Sequence, residues 1–174
     1  PTTWDELFPT PEELEELKKS MAFPSDDNTE HEQDEPGDMA FNPDIEVGHG
    51  DLIKGGTWTL EAVHTPGHIS NHLCFGFKEE KSLFSGDHVM GWSTSVIPSP
   101  EGSMSEYMDS LHLLLDRNEQ FFYPTHGPRI PEPIIFTRAL IAHREDRERQ
   151  ILSCLVKGPK TIPELVTEMY VDTP

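Results

Sequence analysis

The chain has 174 residues, and its 13 lysines and arginines face 32 aspartates and glutamates, which gives a formal net charge of −19 at pH 7. This length suits one domain, or one domain with part of another, and is sufficient for a hydrophobic core. The negative charge disfavours general binding to nucleic-acid phosphates or to anionic lipid, although it leaves room for a local basic face.

Residues 1–37 predict a helix followed by an acidic linker or loop. Thr10 is a typical N-cap residue, Pro11 suits the first helical position, and the apolar side chains that follow share one face of a helix ending near Met21. Residues 25–38 are acidic and polar with almost no apolar side chain, so this segment cannot bury enough surface to order itself.

Residues 38–134 show short apolar runs separated by turn residues, a pattern typical of a strand meander. The predicted strands are residues 45–47, 52–53, 58–63, 72–77, 82–85 and 120–124. A capping box at Ser103 predicts a helix through Leu115. Residues 135–174 then predict helical structure, with a long charged helix from about residue 134 to 155 and a last capped helix from residue 161 to about 170.

The two cysteines, Cys74 and Cys154, lie far apart and lack the CxxC spacing of a metal or redox site. We expect two small hydrophobic side chains in a reducing compartment rather than a disulfide. The sequence has no apolar stretch long enough to span a bilayer and no signal-peptide pattern at its start. These features favour a cytoplasmic protein without a membrane partner.

Three short motifs place potential metal ligands at the ends of apolar runs. They are His-Thr-Pro-Gly-His at residues 64–68, Ser-Gly-Asp-His at residues 85–88 and Thr-His-Gly at residues 125–127. Histidine and aspartate bind divalent metals, and loops carried by strands can hold such ligands together. Any one motif could equally be an ordinary turn. The three together, each at a strand end, favour a shared metal site.

On these motifs, and on the longer runs at residues 83–94, 124–128 and 142–166, the chain from about residue 41 onwards resembles the metallo-β-lactamase-fold hydrolases, and more narrowly their β-lactamase-like protein 2 type. The resemblance implies an α/β (α+β) fold. Residues 38–134 would be the C-terminal part of an αββα sandwich, and residues 135–174 the start of a winged-helix appendage.

The resemblance also implies two divalent ions, usually zinc, although other divalent metals fit the same ligands. His68 would bind one metal, Asp87 would bridge both and act in catalysis, and His126 would bind the other. A metal-bound hydroxide would then cleave an ester, thioester, lactam or phosphodiester bond. Four neighbours are candidates to support the ligands or line a pocket, each with an ordinary structural alternative: His64, His88, Trp92 and Ser93. His72 and His112 are assigned to packing or to the surface.

The resemblance is incomplete, because the His-x-His-x-Asp-His cluster expected upstream of His64 is absent. We therefore expect a chain truncated at both ends, derived from a hydrolase of a small-molecule substrate. Alone it would be inactive and would bind metal weakly. Two alternatives stay open: a winged-helix-containing metal-dependent ribonuclease, and a non-catalytic scaffold or partner-binding module that uses the acidic segment. The sequence gives no indication of the oligomeric state.

Overall fold

The computed structural model describes residues 42–170, which form one five-stranded sheet and three helices. The strands are β1 (Leu52–Lys54), β2 (Thr59–His64), β3 (Leu73–Phe77), β4 (Ser82–Gly86) and β5 (Phe121–Pro124). The helices are α1 (Met104–Leu115), α2 (Pro133–Leu155) and α3 (Ile162–Met169). The helix and acidic segment predicted within residues 1–38 lie outside the described residues.

The sheet has the order β1-β2-β3-β4-β5, so strands that are consecutive in the chain are also neighbours. The first four strands form an antiparallel meander, whereas β4 and β5 pair in parallel after a crossover through α1. Strands β2, β4 and β5 therefore run in the same direction. Because the carboxyl ends of these three strands meet at one edge of the sheet, the turns that follow them lie at that edge.

The core lies between one face of the sheet and the helices α1 and α2. Its fully buried members include Val63, Cys74, Leu83, Leu111 and Leu140. The buried residues of α2 all lie between Pro133 and Ile141, in the first half of the helix. This first half therefore belongs to the core, and the domain boundary placed after residue 134 falls inside α2.

The opposite face of the sheet carries a row of aromatic rings. The ring centroids of Phe77 and Phe84 lie 6.5 Å apart, and those of Phe84 and Tyr123 lie 5.9 Å apart. Phe84 is 44% exposed and Tyr123 is 39% exposed. The described residues thus form one sheet with helices on one side, which is half of an αββα arrangement.

Most predicted elements are confirmed with shifts of one or two residues at their ends. The strand predicted at residues 45–47 is wrong, because these residues form no strand and Ile45 is 77% exposed. An apolar pair at these positions is not enough when no strand among the described residues pairs with it. No helix within residues 42–170 has the length and hydropathy needed to cross a membrane.

Candidate metal centre

The turn after β2 presents His68 because it is fixed to the start of α1. The carbonyl oxygen of Gly67 accepts a 2.8 Å hydrogen bond from the backbone of Ser103, and that of Pro66 accepts one of 2.8 Å from the Ser110 hydroxyl. Gly67 has φ +134°, and a Cβ there would lie 2.3 Å from the Cα of Tyr107. Only glycine therefore fits this close approach of turn and helix.

Asp87 follows β4 and lies between two imidazole rings. Its Oδ2 is 3.9 Å from Nε2 of His68, and its Oδ1 is 3.5 Å from Nε2 of His126. The side chain of His68 is 22% exposed and that of Asp87 is 35% exposed, whereas that of His126 is half exposed. The three ligands predicted from the sequence are therefore brought together, with one carboxylate oxygen facing each histidine.

His126 is positioned by the loop that follows Asp87. Its carbonyl oxygen accepts a 2.9 Å hydrogen bond from the backbone of Gly91. Gly127 has φ +95°, and a Cβ there would lie 2.9 Å from the backbone of Gly91. The ring of Trp92 lies nearly parallel to that of His126, with an interplanar angle of 9° and a centroid distance of 6.1 Å. Trp92 thus lies beside the imidazole of His126.

Hydrogen bonding fixes the orientation of His68. Its Nδ1 lies 2.6 Å from the carbonyl oxygen of Val96, which can only accept, so Nδ1 carries the proton and donates it. The neutral ring then has its lone pair on Nε2, which faces the Asp87 carboxylate. This is the arrangement in which a histidine binds a metal.

These residues fit divalent metal ions in three respects. Two ligand atoms on one tetrahedral zinc ion are roughly 3.4 Å apart, given Zn–N and Zn–O distances of about 2.0–2.1 Å, and the two imidazole–carboxylate distances of 3.5 and 3.9 Å are close to this value. Oδ1 of Asp87 is buried and has no hydrogen-bond partner within residues 42–170. The donor set is nitrogen and carboxylate oxygen, which suits zinc and similar metals.

An ion placed at either imidazole–carboxylate pair would have two protein ligands. Within the described part of the chain, no group of three or more His, Cys, Asp or Glu side chains could hold one metal ion. This agrees with a carboxylate whose two oxygens face different histidines. Residues 42–170 therefore bring His68, Asp87 and His126 together as two imidazole–carboxylate pairs.

A buried series of hydrogen-bonded polar groups ends at the backbone N–H of Asp87. The backbone N–H of Asp87 donates to Nε2 of His72 at 3.2 Å, so the proton of this ring is on Nδ1, which donates to the Thr65 hydroxyl at 2.8 Å. The thiol of Cys74 donates to the carbonyl oxygen of Ser85 at 3.4 Å, which leaves its sulfur to accept from Thr65 at 3.2 Å. In this series of four hydrogen bonds, each donor therefore has an acceptor and no proton is required twice.

The histidines beneath the site are neutral. Burial is the main reason that the pKa of His72 is lowered, and burial lowers the pKa of His88 to about 3. The His88 ring is fully buried, and its centroid is 4.7 Å from that of the Tyr107 ring. Its two nitrogens have no hydrogen-bond partner among the described residues. His88 thus packs under the site.

The family model for the metallo-beta-lactamase superfamily matches residues 2–126. This chain belongs to the metallo-beta-lactamase superfamily. It is 33% identical over 159 residues to the lactamase-like protein aptB of Emericella nidulans, and the match covers 78% of this chain and 50% of that protein. It is 35% identical over 117 residues to the beta-lactamase-like protein 2 homolog of Caenorhabditis elegans, and the match covers 67% of this chain and 38% of that protein.

The fold agrees with solved structures of the superfamily. The crystal structure of a metallo-beta-lactamase family protein from Thermus thermophilus matches with a TM-score of 0.65 and 26% identity, covering 75% of this chain and 44% of that one. The chain thus spans about half, or less, of the length of the relatives that it matches. Members of this superfamily are in general metal-dependent hydrolases.

Two of the residues predicted to support the ligands, His64 and Ser93, lie at the surface. His64 is exposed, and its Nε2 lies 2.9 Å from the carbonyl oxygen of Ser70, outside the cluster around Asp87. Ser93 is exposed as well. The hydroxyl that contacts the site is that of Ser95, which was not among the residues predicted from the sequence. No sequence signal marks it, because Ser95 bonds to backbone oxygens.

Proposed function

We propose that this chain is part of a metal-dependent hydrolase with a binuclear site, to which it contributes His68, Asp87 and His126. The observation that carries the proposal is the Asp87 carboxylate, with Oδ2 3.9 Å from one imidazole nitrogen and Oδ1 3.5 Å from another. A carboxylate in this position can neutralise and bridge two cations. The family membership supports the same chemistry, and zinc is the metal that the donor set favours.

Each residue has a defined task in this proposal. His68 and His126 would each bind one ion through Nε2, and Asp87 would bind one ion with each oxygen. His72 would keep the Asp87 backbone in place by accepting its N–H. Bound ions would supply an activated water and polarise the scissile bond. Trp92, whose ring lies nearly parallel to that of His126, would limit the orientations of the His126 ring.

We propose a small-molecule ester, thioester, lactam or phosphodiester as the substrate. A polyanion such as RNA is disfavoured by the net charge of −19. Two arginines of α2 are also engaged within the protein, since Arg149 pairs with Asp146 at 2.6 Å and Arg147 donates to Gln150 at 3.0 Å. These contacts reduce the basic surface that a ribonuclease would present.

Two further parts of the proposal concern the helices that follow the core and the cellular compartment. We propose that the second half of α2 and α3 begin a winged-helix appendage. The capping box of Thr161 and Glu164, which starts α3 after a short turn, supports this. We also propose a reducing compartment, because Cys74 and Cys154 are both free thiols.

Zinc stoichiometry tests the metal site. The purified chain is titrated with zinc, and the bound ions are counted by native mass spectrometry for the wild type, for Asp87→Asn and for Asp109→Asn. Asp109 is an exposed carboxylate on α1 and serves as the control. We expect weak binding of up to two ions, lost in Asp87→Asn because the amide has no charge, and kept in Asp109→Asn.

Two results would contradict this reasoning. Equal zinc binding by the wild type and Asp87→Asn would remove the bridging role of the carboxylate. Two tightly held ions per chain would show that the ligand set is more complete than two protein ligands per ion.

A further inference from the structure

A two-residue segment of the loop between β4 and α1, Ser95–Val96, contacts both His68 and Asp87. We call this segment the site brace. The carbonyl oxygen of Val96 accepts the Nδ1 proton of His68 at 2.6 Å. The Ser95 hydroxyl donates to the backbone carbonyl oxygen of Asp87 and lies 3.0 Å from that of His88. One short stretch of backbone therefore orients the ring of one ligand and holds the backbone of another.

The site brace is itself held by Arg144 of α2. The Nη2 of Arg144 donates to the carbonyl oxygen of Ser95 at 2.5 Å. The same guanidinium lies over the ring of Tyr107, with its central carbon 5.5 Å from the ring centroid. Tyr107 is fully buried on α1. Arg144 is thus placed between a rigid ring and the brace.

Arg144 lies at the point where α2 leaves the core, so its contact links this helix to the loop of the site. The buried part of α2 ends at Ile141, and Arg144 follows one turn later, where the helix leaves the core. The guanidinium is the charged donor that reaches from this helix to the loop of the site. A displacement of α2 would therefore move the brace, and the brace would move His68 and Asp87.

We propose that Arg144 is a positioning residue of the metal site, acting through Ser95–Val96 on His68 and Asp87. Its catalytic consequence rests on the proposed function, whereas its geometric consequence does not. A histidine whose outer N–H loses its acceptor changes its preferred tautomer and ring orientation. Loss of such support typically lowers metal affinity by about 10–100-fold.

The test compares Arg144→Met with Arg149→Met in the full chain. Methionine keeps an apolar stem over Tyr107 and removes the donor to Ser95. Arg149 lies on the same helix, its side chain is 70% exposed and it pairs with Asp146, so its variant removes the same charge away from the brace. Circular dichroism first establishes that each variant is folded.

The first readout is the tautomer of His68, observed without metal by long-range proton–nitrogen NMR at mildly alkaline pH. We expect Nδ1 to carry the proton in the wild type and in Arg149→Met, and a mixture of tautomers in Arg144→Met. An unchanged tautomer in Arg144→Met would overturn the proposal. Because no metal is added, this readout does not depend on the proposed function.

The second readout is Co²⁺ affinity, measured by the absorption of the bound ion. We expect a loss of roughly 10-fold or more for Arg144→Met and no change for Arg149→Met. Arg144→Lys, which keeps the charge but lacks the planar fork, should recover part of the loss. Equal losses in Arg144→Met and Arg149→Met would mean that net charge, rather than the brace, is responsible, and would overturn the proposal.

Two further outcomes separate the possible failures. A wild-type chain that binds no Co²⁺ would contradict the proposed function, while the tautomer of His68 would still decide the role of Arg144. If Arg144→Met does not fold, Arg144→Lys replaces it, because this change keeps the charge and removes the planar fork that donates to Ser95. Co²⁺ affinity and a His68 tautomer both unchanged from the wild type in Arg144→Lys would overturn the proposal.

Discussion

Replacing Gly67 with alanine should strongly destabilise the fold, because this glycine lets the turn that carries His68 touch α1. The new Cβ would lie 2.3 Å from the Cα and 2.4 Å from the N of Tyr107. Ordinary contacts between carbon atoms are about 3.5–4.0 Å. The helix and the turn would have to separate by more than an ångström, and neither contact atom is at the end of a flexible side chain.

The expected cost has three physical sources. A non-glycine residue at φ +134° costs about 1–3 kcal/mol of backbone strain. Separating the turn from α1 weakens the hydrogen bonds from Ser103 and Ser110, each with a net value of about 0.5–1.5 kcal/mol. Overpacking of the buried contact costs about 1–3 kcal/mol. Together we expect a loss of about 3–9 kcal/mol, a large part of the ~5–15 kcal/mol of an ordinary domain.

Gly50→Ala is the matched control for Gly67→Ala. Gly50 also has a positive φ, +86°, but a Cβ there would have no neighbour within 4 Å. Its alanine variant should therefore show only the backbone cost of about 1–3 kcal/mol. Urea denaturation followed by circular dichroism gives both values, provided that the m-values stay equal. A loss in Gly67→Ala no larger than that in Gly50→Ala would refute the close approach of the turn and α1.

Two other predictions concern the polar chain beneath the site. In His72→Gln the amide oxygen can replace the Nε2 acceptor, whereas the shorter amide of His72→Asn reaches only as far as Nδ1. Hydrogen exchange at the Asp87 amide should thus be about 10-fold faster in His72→Asn than in His72→Gln. Equal exchange rates would contradict the hydrogen bond. Burial raises the pKa of the Cys74 thiol to about 12, so it stays protonated at mildly alkaline pH. A thiol reagent should then modify Cys154 alone in the native protein and both cysteines in denaturant; rapid native modification of Cys74 would contradict its burial.

The strands and the three ligand turns could be predicted from the sequence because each is marked locally. Apolar runs end at Gly-Asp after β4 and at a Pro-Thr-His-Gly stretch after β5, and such turn residues show where a side chain leaves the sheet. The structure places β2, β4 and β5 in the same direction, which brings the predicted ligands together. Their convergence therefore depends on topology that the motifs alone do not encode.

The residues that support the ligands could not be predicted in the same way. The sequence assigns His72 to packing or the surface, and it is buried as packing requires, but its hydrogen bond to the Asp87 backbone has no sequence signature. Ser95 and Arg144 act on carbonyl oxygens, which every residue carries. Ser93 is a sequence candidate because it lies in the run at residues 83–94, yet it is exposed. Proximity in sequence is a weak guide to contacts made through the backbone.

The aromatic row on the outer face of the sheet has a consequence for the behaviour of the chain in solution. Phe84 and Tyr123 are more than a third exposed, at 44% and 39%, on a face that no described helix covers. Each square ångström of such surface removed from water contributes roughly 25 cal/mol. Electrostatic repulsion between strongly acidic molecules opposes this gain at close approach, within a screening length of about 10 Å at 0.1 M salt. Because the apolar gain weakens on cooling and the repulsion weakens with added salt, both warming and higher ionic strength should favour the covering of this face.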